Sequence, residues 1–378
     1  MVSPDGATAV LENGLLRATL RRDAGWGITS LVDTRSGAEV VGPGAVANAL
    51  VPYADQGGLY RFGSEMKGCE FAPLAGEGAG SPLTVLEQGP LRVRVAAQTI
   101  AGGQTFRKEY ALVAGEPFLR MLSTGSAAPG TSVMVHFPLA GAVDDLVHGT
   151  AYHWDEKRPE RAGPLTFEAT HDFVVPRFRG RPRAAVFHAG MPAWAVRRDG
   201  LLVGALWRNS IRGAQCDYQG AEGTDAHEVT MSYAIRVPTG VTSPRTGAQL
   251  REALGFTTSL LAVGAQPAGD LPRRLSLAST QPSAAIVTAA KAGTEDPAAL
   301  MLRIYQPTNA PLRVSVRTAA RQLFPPGGGV VVEGRTALEE PLRETEATAL
   351  RIDGDGTRFH FVARRALTTM ALHGSPVR

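Results

Sequence analysis

Cysteine, lysine and long apolar runs are all scarce in these 378 residues, and each shortage closes off a class of answer. Two cysteines, Cys69 and Cys216, allow at most one disulfide and form no CxxC pair, so a cysteine-built metal knuckle is excluded. They read as buried or partly buried free thiols. The only lysines are Lys67, Lys108, Lys157 and Lys291, so nearly all positive charge is arginine. A formal net charge of +4 over this length is weak, and nucleic acid is not an expected partner. No run of about 18 apolar residues occurs, so no membrane-spanning helix is expected. The N-terminal MVSPDGATAVLENG lacks the basic and apolar regions of a secretory signal. The expected location is cytoplasmic.

What is present is alternation. Short segments with a period of two recur between turn signals: Leu15–Leu20, Leu91–Thr99, Phe106–Val113, Phe118–Ser123, Ser132–Leu139, Ala184–His188, Leu201–Trp207 and Val229–Val237. Only Ala248–Leu254 has a helical pattern. The Gly-, Pro- and Arg-containing stretch Gly264–Leu275 reads as a linker. Beyond it, Ala285–Ala290, Leu300–Tyr305, Leu312–Thr318, Ala347–Ile352 and Arg358–Val362 form a second set of expected strands. The chain therefore divides, on this reading, into a large β domain (residues 1–270) and a small β-sandwich (residues 271–378), each of ordinary domain size.

The densest polar stretch is Leu206–Pro238, in which a strand gives way to a Gly-studded loop and a second strand begins near His227. Loops on rigid β scaffolds commonly carry binding groups. Arg208 and Asn209 offer donors to sugar hydroxyls, Glu222 and Asp225 offer acceptors, and Trp207 and Tyr218 offer flat faces for a pyranose. A second cluster, Asp55–Glu65, places Tyr60 and Arg61 among glycines that permit close approach of a ligand. The competing reading of both is structural, with Arg208 paired to an acid, Asn209 and Asp225 satisfying turn amides, and Asp55–Glu65 forming an edge hairpin. The run Arg177–Arg183 reads as a solvated basic loop.

Several ordered motifs carry a family resemblance. They are Leu11-Glu12-Asn13-Gly14 with Arg17, Gly27-Ile28-Thr29-Ser30-Leu31-Val32-Asp33, Arg35-Ser36-Gly37-Ala38-Glu39, Asn48-Ala49-Leu50, Asp55-Gln56-Gly57-Gly58, Glu87-Gln88-Gly89-Pro90, Phe137-Pro138-Leu139 and Gly223-Thr224-Asp225-Ala226-His227. In this order they resemble the C-terminal β region of glycoside hydrolase family 38 α-mannosidases. The resemblance implies an all-β fold, a large galactose-mutarotase-like β-supersandwich followed by a small β-sandwich. It also implies a carbohydrate ligand of α-mannoside type with Arg208, Tyr218 and Asp225 on the substrate side, and Asn209, Glu222, Tyr60 and Arg61 join them as expected binding residues on their chemistry and position.

Family enzymes act through an N-terminal barrel that holds the nucleophile and a zinc ion, and no βαβα alternation of that kind precedes residue 11. No catalytic residue and no cofactor is therefore expected in this chain; zinc belongs to a complete family enzyme, and a separately encoded barrel subunit is the implied partner. His153-Trp154-Asp155 mimics a His-x-Asp zinc motif but lacks the rest of it, and reads as a solvated or sugar-facing loop. Glycoside cleavage within the chain would need two flanking carboxylates. Glu222 with Asp225, or Asp155 with Glu156, lie an odd number of residues apart and would face opposite ways on a strand. The alternatives are a free-standing carbohydrate-binding or scaffold protein, and a mutarotase-like epimerase pairing His136, His188 or His227 with Glu65 or Glu109.

Overall fold

A computed structural model describes residues 1–57, 70–151, 153–159, 165–211, 227–237, 247–258, 276–307, 310–319, 324, 329–355, 357–363 and 367–374. The described residues form two compact units, one of residues 1–150 with 155–242 and the other of residues 151–154 with 243–378. The division falls at Thr242/Ser243, earlier than residue 270. The reason lies in the helix Ala248–Thr257, whose Arg251 donates to the carbonyls of Ser283 and Ala285, next to the first strands of the smaller unit.

The large unit is built from three antiparallel sheets. One contains β1 (Thr8–Glu12), β2 (Leu16–Arg21) and β3 (Gly27–Asp33) in that order. The second has six strands, in the order β13 (Glu168–Ala169), β17 (Ala193–Val196), β18 (Leu201–Asn209), β10 (Thr131–Pro138), β4 (Ala49–Asp55) and β5 (Phe71–Pro73). The third runs β12 (His153–Lys157), β11 (Asp145–Thr150), β14 (Phe173–Phe178), β16 (Ala185–Ala189), β19 (Val229–Arg236), β9 (Phe118–Gly125), β8 (Gln104–Val113), β7 (Arg92–Ala101) and β6 (Thr84–Gln88), with β15 (Arg181–Pro182) paired to β14. Alternation does what the sequence implies. Val95 of β7 is buried and its neighbour Arg94 turns outward to pair with Glu109. All three sheets contribute to one apolar core, including Leu20, Ile28, Leu50, Phe137, Trp194, Trp207, Phe106 and Tyr233.

The smaller unit is a sandwich of two four-stranded sheets. These are β20 (Ala278–Gln281), β23 (Leu312–Thr318), β26 (Arg358–Ala363) and β25 (Asp353–Asp355) against β21 (Ile286–Ala292), β22 (Leu300–Tyr305), β27 (Leu367–Gly374) and β24 (Val330–Arg335). Leu302, Ile304, Val314, Val316, Phe359, Phe361, Met370 and Leu372 fill the space between them. The expected strand at Ala347–Ile352 is replaced by a helix over Glu344–Ala349. Its alanines favour a helix, and Glu344 and Glu346 in the first turn complement the helix dipole. The all-β class, with a large supersandwich and a small sandwich, is what the chain adopts.

The large unit's core contains a buried polar network. On β8 the inward positions read Phe106, Lys108, Tyr110 and Leu112, so a lysine points into the core in phase with apolar residues. Lys108 and Glu77 are 1% and 2% exposed and lie 2.5 Å apart. The ammonium also donates to the carbonyls of Asn48 and Gly25, at 2.7 and 3.2 Å. Beside it, the Tyr110 hydroxyl donates to the Trp26 carbonyl, the Asn48 amide to the Tyr110 oxygen, and the Tyr233 hydroxyl to the Asn48 side-chain oxygen. Burial pushes Glu77 up and Lys108 down, each opposed by the attraction of the other.

Removing one member of a buried pair strands the other charge, at a cost of about 3–5 kcal/mol. Lys108→Met is therefore expected to destabilise the large unit by about that much in denaturant melts, and Lys108→Met with Glu77→Leu by far less. Equal losses in the single and double variants would show that the pair's charges are not what matters.

Candidate functional site

Both polar loops picked out in the sequence leave the same end of the six-stranded sheet. β4 finishes at Asp55, β18 finishes at Asn209, and β10 begins between them at Thr131. Antiparallel register sets Ser132 opposite both Tyr53 and Arg208. Residues two apart on a strand share a face, so Asp55, Ser132 and Arg208 converge. Arg208 Nε donates to Asp55 Oδ2 at 2.7 Å and a terminal amine donates to Oδ1 at 3.2 Å. The Ser132 hydroxyl donates to Oδ2 at 2.6 Å and the Gly57 amide to Oδ1 at 3.0 Å. Asp55 is fully buried, and the Arg208 side chain remains 18% exposed. The forked guanidinium thus ties β18 to β4 across β10.

Asn209 is buried and its amide donates to the Ala127 carbonyl at 3.0 Å. Tyr60, Arg61, Tyr218, Glu222 and Asp225, with Cys69 and Cys216, lie outside the described residues. Their segments continue from the strand ends that Asp55 and Arg208 hold together. His227 is exposed ahead of β19. The sequence reading missed Asp55 as the partner of Arg208, although it stands at the head of the second polar cluster.

Further along the same face, Tyr53 stacks on Phe71 at 4.9 Å and its hydroxyl lies 3.1 Å from His136 Nε2. Burial, reinforced by the nearby Arg197 cation, lowers His136 to about 4. His188 sits on β16 with Nε2 3.0 Å from the Thr170 hydroxyl, and burial lowers it to about 3. Both imidazoles are neutral near pH 7 and so are poor proton donors for epimerase chemistry. Glu109 pairs with Arg94 and Arg107.

No three His, Cys, Asp or Glu side chains converge among the described residues. His153 and Asp155 are both exposed on β12, which makes two donors where a catalytic zinc takes three from protein. The described residues therefore do not fit the family's zinc, and no step is assigned to it. Arg177, from the basic run, is buried against Asp145 and Glu156, while Arg179 and Arg183 lie over the Phe178 ring. No described helix is long and apolar enough to cross a membrane.

The architecture defines an all-β supersandwich with a small sandwich after it. Among solved structures, an α-mannosidase from Enterococcus faecalis V583 matches 98% of this chain with a TM-score of 0.71 at 13% identity. A glycosyl hydrolase family 38 protein from Enterococcus faecalis matches 98% with the same TM-score at 14% identity. The chain spans less than half of either, 42% and 44% of their lengths. A putative aldose 1-epimerase from Escherichia coli is more distant, at 12% identity over 61% of this chain and 98% of its own, with a TM-score of 0.33. No family model matches the chain. No curated protein matches it either. At such identities the likeness is one of fold, and in fold this chain corresponds to a mannosidase β region, with no α/β barrel among its described residues.

Two expectations follow. Arg208→Ala leaves the Asp55 carboxylate buried without its cation and is expected to cost on the order of 3 kcal/mol, with Asp55→Asn recovering much of the loss. An unchanged melting curve for Arg208→Ala would show that the pair is not what occupies this arginine. The second concerns pH. The His188 pKa lies below the unfolded value of about 6.5, so protons bind preferentially to the unfolded chain. Stability present at pH 7 is then lost as pH falls from about 6.5 towards about 3. His188→Leu should flatten that fall relative to the parent chain in pH-dependent melts; parallel curves would refute the assignment.

Proposed function

We propose that this chain is the sugar-binding, all-β portion of an α-mannosidase-like glycoside hydrolase, completing a site whose nucleophile and zinc come from a barrel outside it. The observation that carries the reading is the mannosidase match, which spans 98% of this chain but 42% of the mannosidase. The reading is supported by the junction at Asp55, Ser132 and Arg208, from which both polar segments start. On this proposal the junction is a rigid floor, and Tyr60, Arg61, Tyr218, Glu222 and Asp225, which follow it in the chain, form the rim group that contacts an α-mannoside. Arg208 and Asn209 contribute by holding the floor, with the exposed part of Arg208 reachable from the rim. The partner is a separately encoded barrel subunit, and the setting is mannose metabolism in the cytoplasm.

The test is titration of the purified chain with methyl α-mannoside and α-linked mannobiose. Tyr218→Ala and Asp225→Ala are expected to weaken binding by about tenfold each, the effect of one stacking or charged hydrogen-bond contact, without moving the melting temperature. Aryl α-mannoside with added zinc should give no turnover. Absence of binding, or affinity unmoved in both variants, would remove the rim from the site. Turnover abolished by Asp225→Ala would place the chemistry inside this chain.

A further inference from the structure

A second polar site lies at the opposite end of the same sheet. The turn between β17 and β18 carries Arg198, and the extended chain of β18 from Leu201 to Arg208, roughly 23 Å, separates that turn from the Arg208 end. Here a cleft of about 450 Å³ is lined by Asp144, Asp145, Glu156, Lys157, Arg158 and Arg198. Its size falls within the range of small-molecule sites, about 300–1,000 Å³, yet every lining residue is ionisable. Such a cleft has little to offer an apolar ligand.

The charges are not mutually satisfied, and the pattern of what is left over is specific. Arg177 takes up Asp145 and Glu156, at 2.5 and 2.9 Å. Lys157 pairs with Glu168. That leaves two guanidiniums and one carboxylate. Arg158 is exposed and has no ion pair among the described residues. Among the described residues Arg198 spends only Nε, on the Pro159 carbonyl at 3.3 Å, and neither terminal amine has a partner there. Asp144 Oδ2 accepts the Arg179 amide at 2.8 Å, whereas its Oδ1 is buried with no hydrogen-bond partner among the described residues. Buried polar atoms are nearly always paired, so an orphan of this kind points to a missing donor.

The backbone around these groups is fixed before any ligand arrives. The Val143 amide donates to the Arg198 carbonyl and the Leu139 amide to the Gly200 carbonyl, each at 3.0 Å. Gly200 has φ +97, and a Cβ there would stand 2.4 Å from the Gly141 carbonyl oxygen, so the turn approaches closely enough to require glycine. On the other wall, the Asp144 amide donates to the Arg177 carbonyl at 2.9 Å.

We propose that this cleft binds a small anionic sugar, a sugar phosphate or sugar acid, with the anion on Arg158 and Arg198 and a ligand hydroxyl donating to Asp144. Two guanidiniums suit a phosphate or carboxylate because their forked donors match paired oxygens. Asp144 selects for a ligand that also brings O–H groups, since a bare anion would meet its charge without supplying a donor. The proposal is independent of the mannoside rim.

Calorimetric titration of the purified chain with mannose 6-phosphate, glucuronate, mannose and inorganic phosphate tests it. Mannose 6-phosphate or glucuronate should bind at least tenfold more tightly than mannose and inorganic phosphate, and the tighter of the two names the anion. Arg158→Ala with Arg198→Ala should weaken that binding at least tenfold, and Arg158→Lys alone should weaken it less. Because Arg158 is exposed, Arg158→Ala alone provides a variant that keeps the fold. Asp144→Asn should narrow the preference for the anionic sugar over inorganic phosphate. Equal affinity for inorganic phosphate would reduce the cleft to a simple anion site and overturn the proposal. So would the absence of binding, or binding unmoved by the arginine substitutions. Methyl α-mannoside binding at the far end is expected to be the same in every one of these variants, which separates failure here from failure of the rim.

Discussion

The large unit depends on a charge pair placed where a β protein would ordinarily put leucine. Lys108 and Glu77 are almost wholly buried, and an isolated charge at such depth is not tolerated. The cost of burial is offset by a set of partners that, among the described residues, leaves only Glu77 Oε1 of this pair without a hydrogen bond. The ammonium reaches Glu77 and the carbonyls of Asn48 and Gly25, and Glu77 also accepts the Leu50 amide. Those partners come from different elements: the turn before β3, the approach to β4, the segment between β5 and β6, and β8 itself. A pair satisfied in this way specifies which segments must meet, whereas apolar contacts would allow neighbouring registers.

Consequences reach the candidate site through β4. Asn48, held in a left-handed conformation at φ 56, donates to Tyr110 and accepts from Tyr233, so the entry into β4 is fixed from the large sheet. Seven residues of extended chain then carry that fixed point to Asp55. At Asp55 a second charge pair takes over and ties in β18 through Arg208. The polar segments that follow both strands therefore begin from anchored ends, which is the condition for a loop to hold a ligand with little loss of entropy.

Much of the fold was legible because alternation is a local signal. β2, β7, β8, β9, β10, β16, β18 and β19 each overlap one of the segments where apolar and polar residues alternate or apolar residues run together. Among the strands that escaped notice, β14 with its continuous Phe173-Val174-Val175-Pro176 is buried on both faces and carries no alternation. The helix at Glu344–Ala349 was misread as extended chain because six residues hold too few turns to show a period of 3.6. The site was legible in part. Arg208 and the Asp55 cluster were each visible, but their pairing, 153 residues apart, is a property of sheet order, which a single sequence does not display. Lys108 did leave a trace: it is one of four lysines, and it lies in phase with Phe106, Tyr110 and Leu112. The charged cleft left none, because Asp144, Arg158 and Arg198 come from three separate segments.

Among the described residues, the buried acids of the large unit serve structural pairs. Hydrolysis of a glycoside needs two carboxylates facing open space, with environments that hold one protonated and the other ionised. The buried acids here are instead each committed to a cation: Asp33 to Arg35, Asp55 to Arg208, Glu77 to Lys108, and Glu109 to Arg94 and Arg107. A carboxylate engaged in this way is not free to meet a leaving group. Like Glu77, Asp144 leaves one buried oxygen without a donor among the described residues, but only Asp144 of the two lines the charged cleft. One such carboxylate beside two arginines can orient a hydroxyl. It cannot supply both halves of an acid–base pair.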